Sequence, residues 1–140
     1  MAEGQPDRGL IDTSVVIDLH RVDAQTLSVE LAVSAITLAE LAAGPHASAD
    51  SEERARRQDL LQRAEATFDP LPFDTAAARA YGRVYSVVAG AGRKARGRRA
   101  VDLLIAATAL AISLPLYTRN VADFEALAGT IEVVQVELVS

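Results

Sequence analysis

The longest apolar run of the chain covers residues 100 to 114, AVDLLIAATALAISL, and contains a single charged residue, Asp102. The run is shorter than the ~18 to 20 residues of a membrane span, so it predicts a helix buried in a core and no membrane contact. Ile105, Ala106 and Ala109 continue the helical face that carries Asp102. A carboxylate on such a face is costly to bury unless it is paired or bound to a metal ion. Asp102 therefore needs a partner from elsewhere in the chain.

Short apolar runs alternate with helical segments along the rest of the sequence. Strands are predicted at residues 8–12, 31–36, 116–118 and 131–136, and residues 68–73, broken by Pro70 and Pro72, form an edge strand or an extended connection. Helices are predicted at 13–19, 37–44, 53–67, 75–89, 100–114 and 121–128, with Thr13 or Ser14, Thr37, Asp74 or Thr75, and Asn120 as caps. The alternation predicts an α/β fold in which a mostly parallel sheet of about five strands is covered by helices on both faces.

The size and composition indicate one domain. A chain of 140 residues fits a single continuous core, and no internal repeat or second domain is visible over residues 1–140. Cysteine is absent, which excludes disulfides and thiolate zinc sites. The N-terminus lacks the basic and apolar regions of a secretory signal, so we expect a cytoplasmic protein.

Four acidic residues lie beside apolar runs, near the predicted ends of strands or starts of helices: Asp12, Glu40, Asp102 and Asp123. Each has a capping interpretation when taken alone, since Thr37-x-x-Glu40 and Asn120-x-x-Asp123 resemble capping boxes. In open parallel sheets, however, the carboxyl ends of strands gather at one edge, where ligands bind. Clustered carboxylates are the ligands that Mg²⁺ and Mn²⁺ prefer. The set therefore predicts a metal site that acts on phosphate groups.

One segment is strongly basic although the chain carries a net charge of −5. Residues 79 to 101 contain seven basic residues and no acidic one, which leaves −12 for the remainder. Such a segment is either a solvated loop or a surface that holds a nucleic-acid backbone. Its basic residues are Arg79, Arg83, Arg93, Lys94, Arg96, Arg98 and Arg99.

Four ordered motifs, GLIDTSVVIDL, SAITLAEL, AVDLLIAATAL and LYTRNVADFEAL, span nearly the whole chain. In this order they resemble the PIN-domain ribonucleases, and among them the VapC-type toxins of toxin–antitoxin pairs. The resemblance implies a three-layer sandwich, a homodimer, and an endoribonuclease that depends on Mg²⁺ or Mn²⁺. It also implies a VapB-type antitoxin as the partner and RNA as the substrate.

The resemblance assigns roles to individual residues. Asp12 and Asp102 match the two metal-binding aspartates, and Glu40 matches the glutamate of the second motif. The fourth motif departs from the family pattern, because Asn120 stands where an acid is common and Asp123 follows three positions later. A neutral Asn120 would weaken a second metal site. Thr13, Ser14 and Thr118 are interpreted as hydroxyls that orient the carboxylates or waters.

Three alternatives fit parts of the pattern. A receiver-like Mg²⁺-binding domain shares the alternation but needs a lysine after its last strand, and the one lysine is Lys94. A non-catalytic α/β interaction module would use all four acids as caps and would leave Asp102 unexplained. A nuclease that cleaves DNA is the third alternative, because metal-assisted hydrolysis of a phosphodiester needs no 2′-hydroxyl.

Overall fold

The structure is a computed structural model that describes residues 7–27, 30–93 and 98–139. Five α-helices and four strands are linked by short 3₁₀ segments at Leu19–Arg21, Ala24–Thr26, Gly44–Ala47 and Val121–Leu127. The strands are β1 (Arg8–Ile11), β2 (Glu30–Ala32), β3 (Leu116–Thr118) and β4 (Val133–Gln135). The helices are α1 (Thr13–Ile17), α2 (Ala35–Ala43), α3 (Ser51–Thr67), α4 (Thr75–Gly90) and α5 (Arg98–Ala111).

The four strands form one parallel sheet in the order β2-β1-β3-β4. The chain leaves β1 toward β2 on one side and later returns to β3 on the other side of β1. This reversal of direction creates a crevice between the carboxyl ends of β1 and β3, where α/β proteins bind ligands. Ile11 of β1 is in register with Tyr117 of β3, so Asp12 and Thr118 emerge side by side.

The core has two parts, one on each face of the sheet. Leu10 belongs to the part formed with α4 and α5, where Val84, Leu103 and Ile105 are fully buried or nearly so. Ile11, its neighbour in β1, belongs to the other part with α1, α2 and α3. Adjacent strand residues point to opposite faces, so this arrangement confirms the predicted α/β sandwich with helices on both sides.

The predicted fold class is confirmed, with a correction to the number of strands. Residues 68–73 form an extended connection, with a single parallel bridge from Leu71 to Ser34, rather than a fifth strand. Pro70 and Pro72 explain this, since neither can donate a backbone hydrogen bond to a neighbouring strand. The strands predicted at 31–36 and 131–136 are also shorter than expected, at Glu30–Ala32 and Val133–Gln135.

Three of the predicted caps are wrong. Asp12, not Thr13 or Ser14, caps α1 by accepting a hydrogen bond from the Val15 N–H. Ser34, not Thr37, caps α2, which places Thr37 in its first turn and Glu40 in its middle. The Asn120 side chain makes no capping bond, and the segment that follows is 3₁₀ rather than α-helical. The cap predicted for α4 is Asp74 or Thr75, and the structure confirms Asp74.

The long apolar run forms α5, which begins at Arg98 and ends at Ala111. Its buried residues confirm the prediction of a helix in the core. Among the described residues, no helix combines the length and the apolar character that crossing a membrane would require.

Candidate active site

The candidate site lies at the carboxyl edge of the sheet, where three structural elements converge. Asp12 follows β1 directly, and α2 begins shortly after the end of β2. Because α5 leads into β3 and runs back along the sheet, its N-terminal end, with Asp102 one turn in, lies at the same edge. One cavity of about 220 Å³ is lined by Asp12, Glu40, Asp102 and Asp123, the four acids predicted from the sequence.

Asp12 is the most buried of these four acids, with 5% of its surface exposed. Its Oδ1 accepts hydrogen bonds from the Ser14 hydroxyl at 2.5 Å and from the Val15 N–H at 3.2 Å. Burial raises the pKa of Asp12, while the hydroxyls of Ser14 and Thr118 oppose that rise by stabilising the ionised form. Asp12 thus caps α1, as its capping interpretation predicted, and it also lines the cavity.

Glu40 is held by a row of hydroxyl groups. The Thr13 hydroxyl donates to Glu40 Oε1 and lies 3.0 Å from the hydroxyl of Thr37. Ser34 donates to Thr37 over 3.5 Å, and both residues are buried. A hydroxyl carries one proton, so with Thr13 donating to Glu40, Thr37 is the donor between the two threonines. The row aims one oxygen of Glu40 at α1 and orients the side chain toward the cavity.

Asp102 lies one turn into α5 and is partly buried. Its pKa is raised to about 6, first by burial and then by the negative charges of Asp12, Asp123 and Glu40; Arg99 opposes the rise. The sequence predicted apolar packing around this carboxylate, whereas the structure turns it toward the other acids. Asp102 therefore takes part in a cluster of repelling charges, which a bound cation would relieve.

Asp123 and Asn120 lie on the outer side of the cavity, and both are exposed. The Asn120 N–H donates to the Thr118 hydroxyl at 3.0 Å, which fixes the turn after β3. Arg99 donates to the backbone carbonyl of Asp123 and so joins α5 to the 3₁₀ segment. Asp123 is therefore anchored through its main chain, and its exposed side chain lines the cavity.

The donor set of the cavity consists of oxygen atoms, which fits a hard cation such as Mg²⁺ or Mn²⁺ better than a soft one. Within residues 7–27, 30–93 and 98–139, no three acidic or histidine side chains are close enough to hold a single ion together. Each of those ions commonly keeps several waters and uses one or two carboxylates directly. Asp12 and Asp102 would supply those two carboxylates, and waters would complete the shell.

Two residues of the site were missed by the sequence analysis. Asp18 lines the same cavity as a fifth carboxylate, and Arg119 forms an ion pair with it. The spacing of Asp18, one helical turn after Ser14, was the available signal. Nothing in the sequence signalled Arg119 as its partner, because the two positions are 101 residues apart.

The basic segment is described only in part. Arg79 and Arg83 are exposed on α4, and Arg93 forms an ion pair with Glu125 at 3.5 Å. Lys94 and Arg96 lie outside the described residues, as does the side chain of Arg98. Arg93 and Arg99 together flank the 3₁₀ segment that carries Asp123, so these two residues of the basic segment lie near the acidic cavity.

Comparisons with known proteins agree with this architecture. The PIN domain family model matches residues 9–129. Ribonuclease VapC5 of Mycobacterium tuberculosis is 36% identical over 136 residues, which cover 94% of this chain and 97% of the relative. Ribonuclease VapC8 of the same organism is 37% identical over 110 residues, which cover 78% of this chain and 96% of the relative.

Solved structures give the same result. The crystal structure of VapBC-5, a toxin–antitoxin system of Mycobacterium tuberculosis, superposes with a TM-score of 0.78 at 36% identity, over 93% of this chain and 99% of the other. FitAcB from Neisseria gonorrhoeae superposes with a TM-score of 0.68 at 29% identity, over 90% and 96% of the two chains. The sheet order, the acidic crevice and these matches define a PIN-type α/β domain. The chain belongs to the PIN-domain family, and within that family to the VapC proteins.

Proposed function

We propose that this protein is an endoribonuclease that depends on Mg²⁺ or Mn²⁺ and acts as the toxin of a toxin–antitoxin pair. The observation that carries the proposal is the convergence of Asp12, Glu40, Asp102 and Asp123 on one cavity at the switch point of the sheet. The relatives support it, since two of them are named ribonucleases and VapBC-5 is described as a toxin–antitoxin system.

Each carboxylate has a role in this proposal. Asp12 and Asp102 would hold the divalent ion, and Glu40 would contact it through water. Asp123 is exposed and lies on the 3₁₀ segment that Arg99 anchors. It acts as a base or as an outer ligand. Such an ion, when bound, polarises a phosphate oxygen and lowers the pKa of water. Ser14, Thr13 and Thr118 orient the carboxylates around it.

The basic segment supplies the contacts to the RNA backbone. Phosphate contacts position a nucleic acid without specifying its sequence. Arg79 and Arg83 are exposed on α4, and Arg93 and Arg99 lie beside the 3₁₀ segment that carries Asp123. We assign the same role to Lys94, Arg96 and Arg98. Single-stranded or looped RNA is the proposed substrate, because the A-form duplex hides its base edges.

The proposed partners are a VapB-type antitoxin and a second copy of this chain. Five carboxylates around one cavity form a site into which an arginine of the antitoxin could insert in place of the ion. Large exposed apolar side chains, including Tyr85 on α4 and Ile112 after α5, at 48% and 42% exposure, support a homodimer. Light scattering of the purified protein measures the number of copies.

A cleavage assay tests the proposed activity. A single-stranded RNA should be cut by the wild-type protein with Mg²⁺ or Mn²⁺ and should stay intact with EDTA. Asp12→Asn should abolish cleavage. The matched control is Asp69→Asn, which alters an exposed carboxylate between α3 and α4, far from the cavity, and should keep wild-type activity. Cleavage that persists in EDTA would refute metal dependence, and a DNA oligonucleotide in the same assay tests the alternative substrate.

A further inference from the structure

Asp18 differs from the other four carboxylates of the cavity in its electrostatic environment. Its side chain is 20% exposed, its Oδ2 contacts Arg119, and its Oδ1 lies 3.9 Å from Arg21. Within the described parts of the chain, no other carboxylate of the cavity forms an ion pair with an arginine or lysine. Among the acids of the cavity, Asp18 is therefore the one whose charge is balanced by an ion pair with another described residue.

Arg119 is also fixed through its main chain on both sides. Its N–H donates to the Ser14 hydroxyl at 3.2 Å, and its carbonyl accepts from the Gln135 side chain at 2.8 Å. The Ser14 hydroxyl in turn donates to Asp12. One residue thus links the end of β3 to both ends of α1, through Ser14 at the start and Asp18 at the end.

We infer that Arg119 and Asp18 are positioning residues of the metal site: their ion pair balances a fifth carboxylate and fixes the end of α1 against the end of β3, where the Arg119 N–H binds the Ser14 hydroxyl that donates to Asp12. This inference rests on the proposed function, since it concerns the same site. Without Arg119, Asp18 would add an unbalanced negative charge to a cavity where four acids already repel one another. Without Asp18, a lone guanidinium would repel an incoming cation. The partial burial of the pair makes either effect larger than at an open surface.

A double-mutant cycle separates this role from simple stabilisation. We expect Arg119→Gln to tighten Mn²⁺ binding to the free protein, and Asp18→Asn to weaken it, each by about 3- to 10-fold, the effect of one unit charge in a partly solvated cavity. The two changes combined should return the Mn²⁺ affinity to near the wild-type value. Mn²⁺ binding is measured by electron paramagnetic resonance without RNA, so this readout does not depend on catalysis.

Turnover provides the second readout. Each single variant should lower kcat for RNA cleavage by about 10- to 100-fold, the usual effect of losing a partner that orients a metal ligand. KM should change far less, because neither residue belongs to the basic segment. The double variant should recover part of the lost kcat, and Arg119→Lys, which keeps the charge, should keep the wild-type Mn²⁺ affinity.

Arg21→Gln is the matched control. Arg21 faces the same carboxylate, but its side chain is 59% exposed and lies at 3.9 Å, so the change should alter neither readout by more than about twofold. Shifts of Mn²⁺ affinity in the same direction in both single variants would overturn the inference, as would single variants that behave like Arg21→Gln. Either outcome would leave the proposed function standing, provided that the wild-type protein binds Mn²⁺ and cleaves RNA. A wild-type protein that does neither would overturn both proposals.

Discussion

The Thr13 hydroxyl donates a hydrogen bond to Glu40, and so joins the first residue of α1 to the middle of α2 across 27 positions of sequence. This contact fixes the direction of a carboxylate that the sequence analysis placed in the predicted metal site. The buried hydroxyls of Thr37 and Ser34, at the start of α2, continue the hydrogen-bonded row that begins at Thr13. The glutamate is therefore oriented by hydroxyls on two different elements before any ligand arrives.

Removing the Thr13 hydroxyl should impair catalysis more than folding. We expect Thr13→Val to lower kcat by about 10- to 100-fold, since Glu40 loses the donor that orients it. Thr13→Ser keeps the donor and should restore most of the activity. Thr26→Val is the control, because the Thr26 hydroxyl donates to the Asp23 carbonyl in a separate 3₁₀ segment. Equal losses in the valine and serine variants would contradict an orienting role.

Asp102→Asn should stabilise the metal-free protein at neutral pH. The pKa of Asp102 is raised to about 6, so the folded state holds the proton more tightly than the unfolded state, whose aspartate has its ordinary pKa near 4. Ionisation of Asp102 therefore lowers the free energy of unfolding as the pH rises from about 4 to 6. We expect the variant to be more stable by about 1 to 2 kcal/mol at pH 7.5, after screening is allowed for.

Denaturant melts at several pH values measure this difference. The advantage of Asp102→Asn should shrink as the pH falls from 6 and should vanish below about 4, where Asp102 is protonated in both states. Mg²⁺ should stabilise the wild-type protein more than the variant. A variant that is less stable than wild type at pH 7.5 would indicate that Asp102 serves mainly as a helix-terminus residue.

Different arginines of the basic segment should affect different steps. Arg96→Gln combined with Arg98→Gln should flatten the plot of log K for RNA binding against log salt by about 1.4 units, at ~0.7 for each phosphate contact on a single strand. Arg99→Gln should lower kcat as well, because Arg99 anchors the segment that carries Asp123. An unchanged salt slope in the double variant would place those arginines away from the RNA.

The antitoxin should compete with the divalent ion for the acidic cavity. A tail that carries an arginine can form bidentate hydrogen bonds with carboxylates, so its inhibition should weaken as the Mn²⁺ concentration rises. Expression of this chain alone should arrest growth, and co-expression of the antitoxin should restore it. Asp12→Asn should be tolerated without any partner. Normal growth at confirmed levels of the wild-type protein would contradict the toxin role.

The sequence by itself determined the α/β class and the placement of four acids beside apolar runs. Periodicity and the strand–helix alternation predict which residues enter the core, and α5 with Asp102 in its first turns is the clearest case. These features depend on contacts between residues close in sequence, which the pattern of apolar and polar positions records directly.

Only the tertiary structure decided which side chains hold the acids in place. Ser34 caps α2 instead of Thr37 because β2 ends at Ala32, four residues earlier than predicted, and Asp12 itself caps α1. The pairing of Asp18 with Arg119 depends on β1 and β3 lying side by side, with α1 packed over their ends. Partners that are a hundred positions apart are brought together by the order of strands in the sheet, and local sequence patterns carry no record of that order.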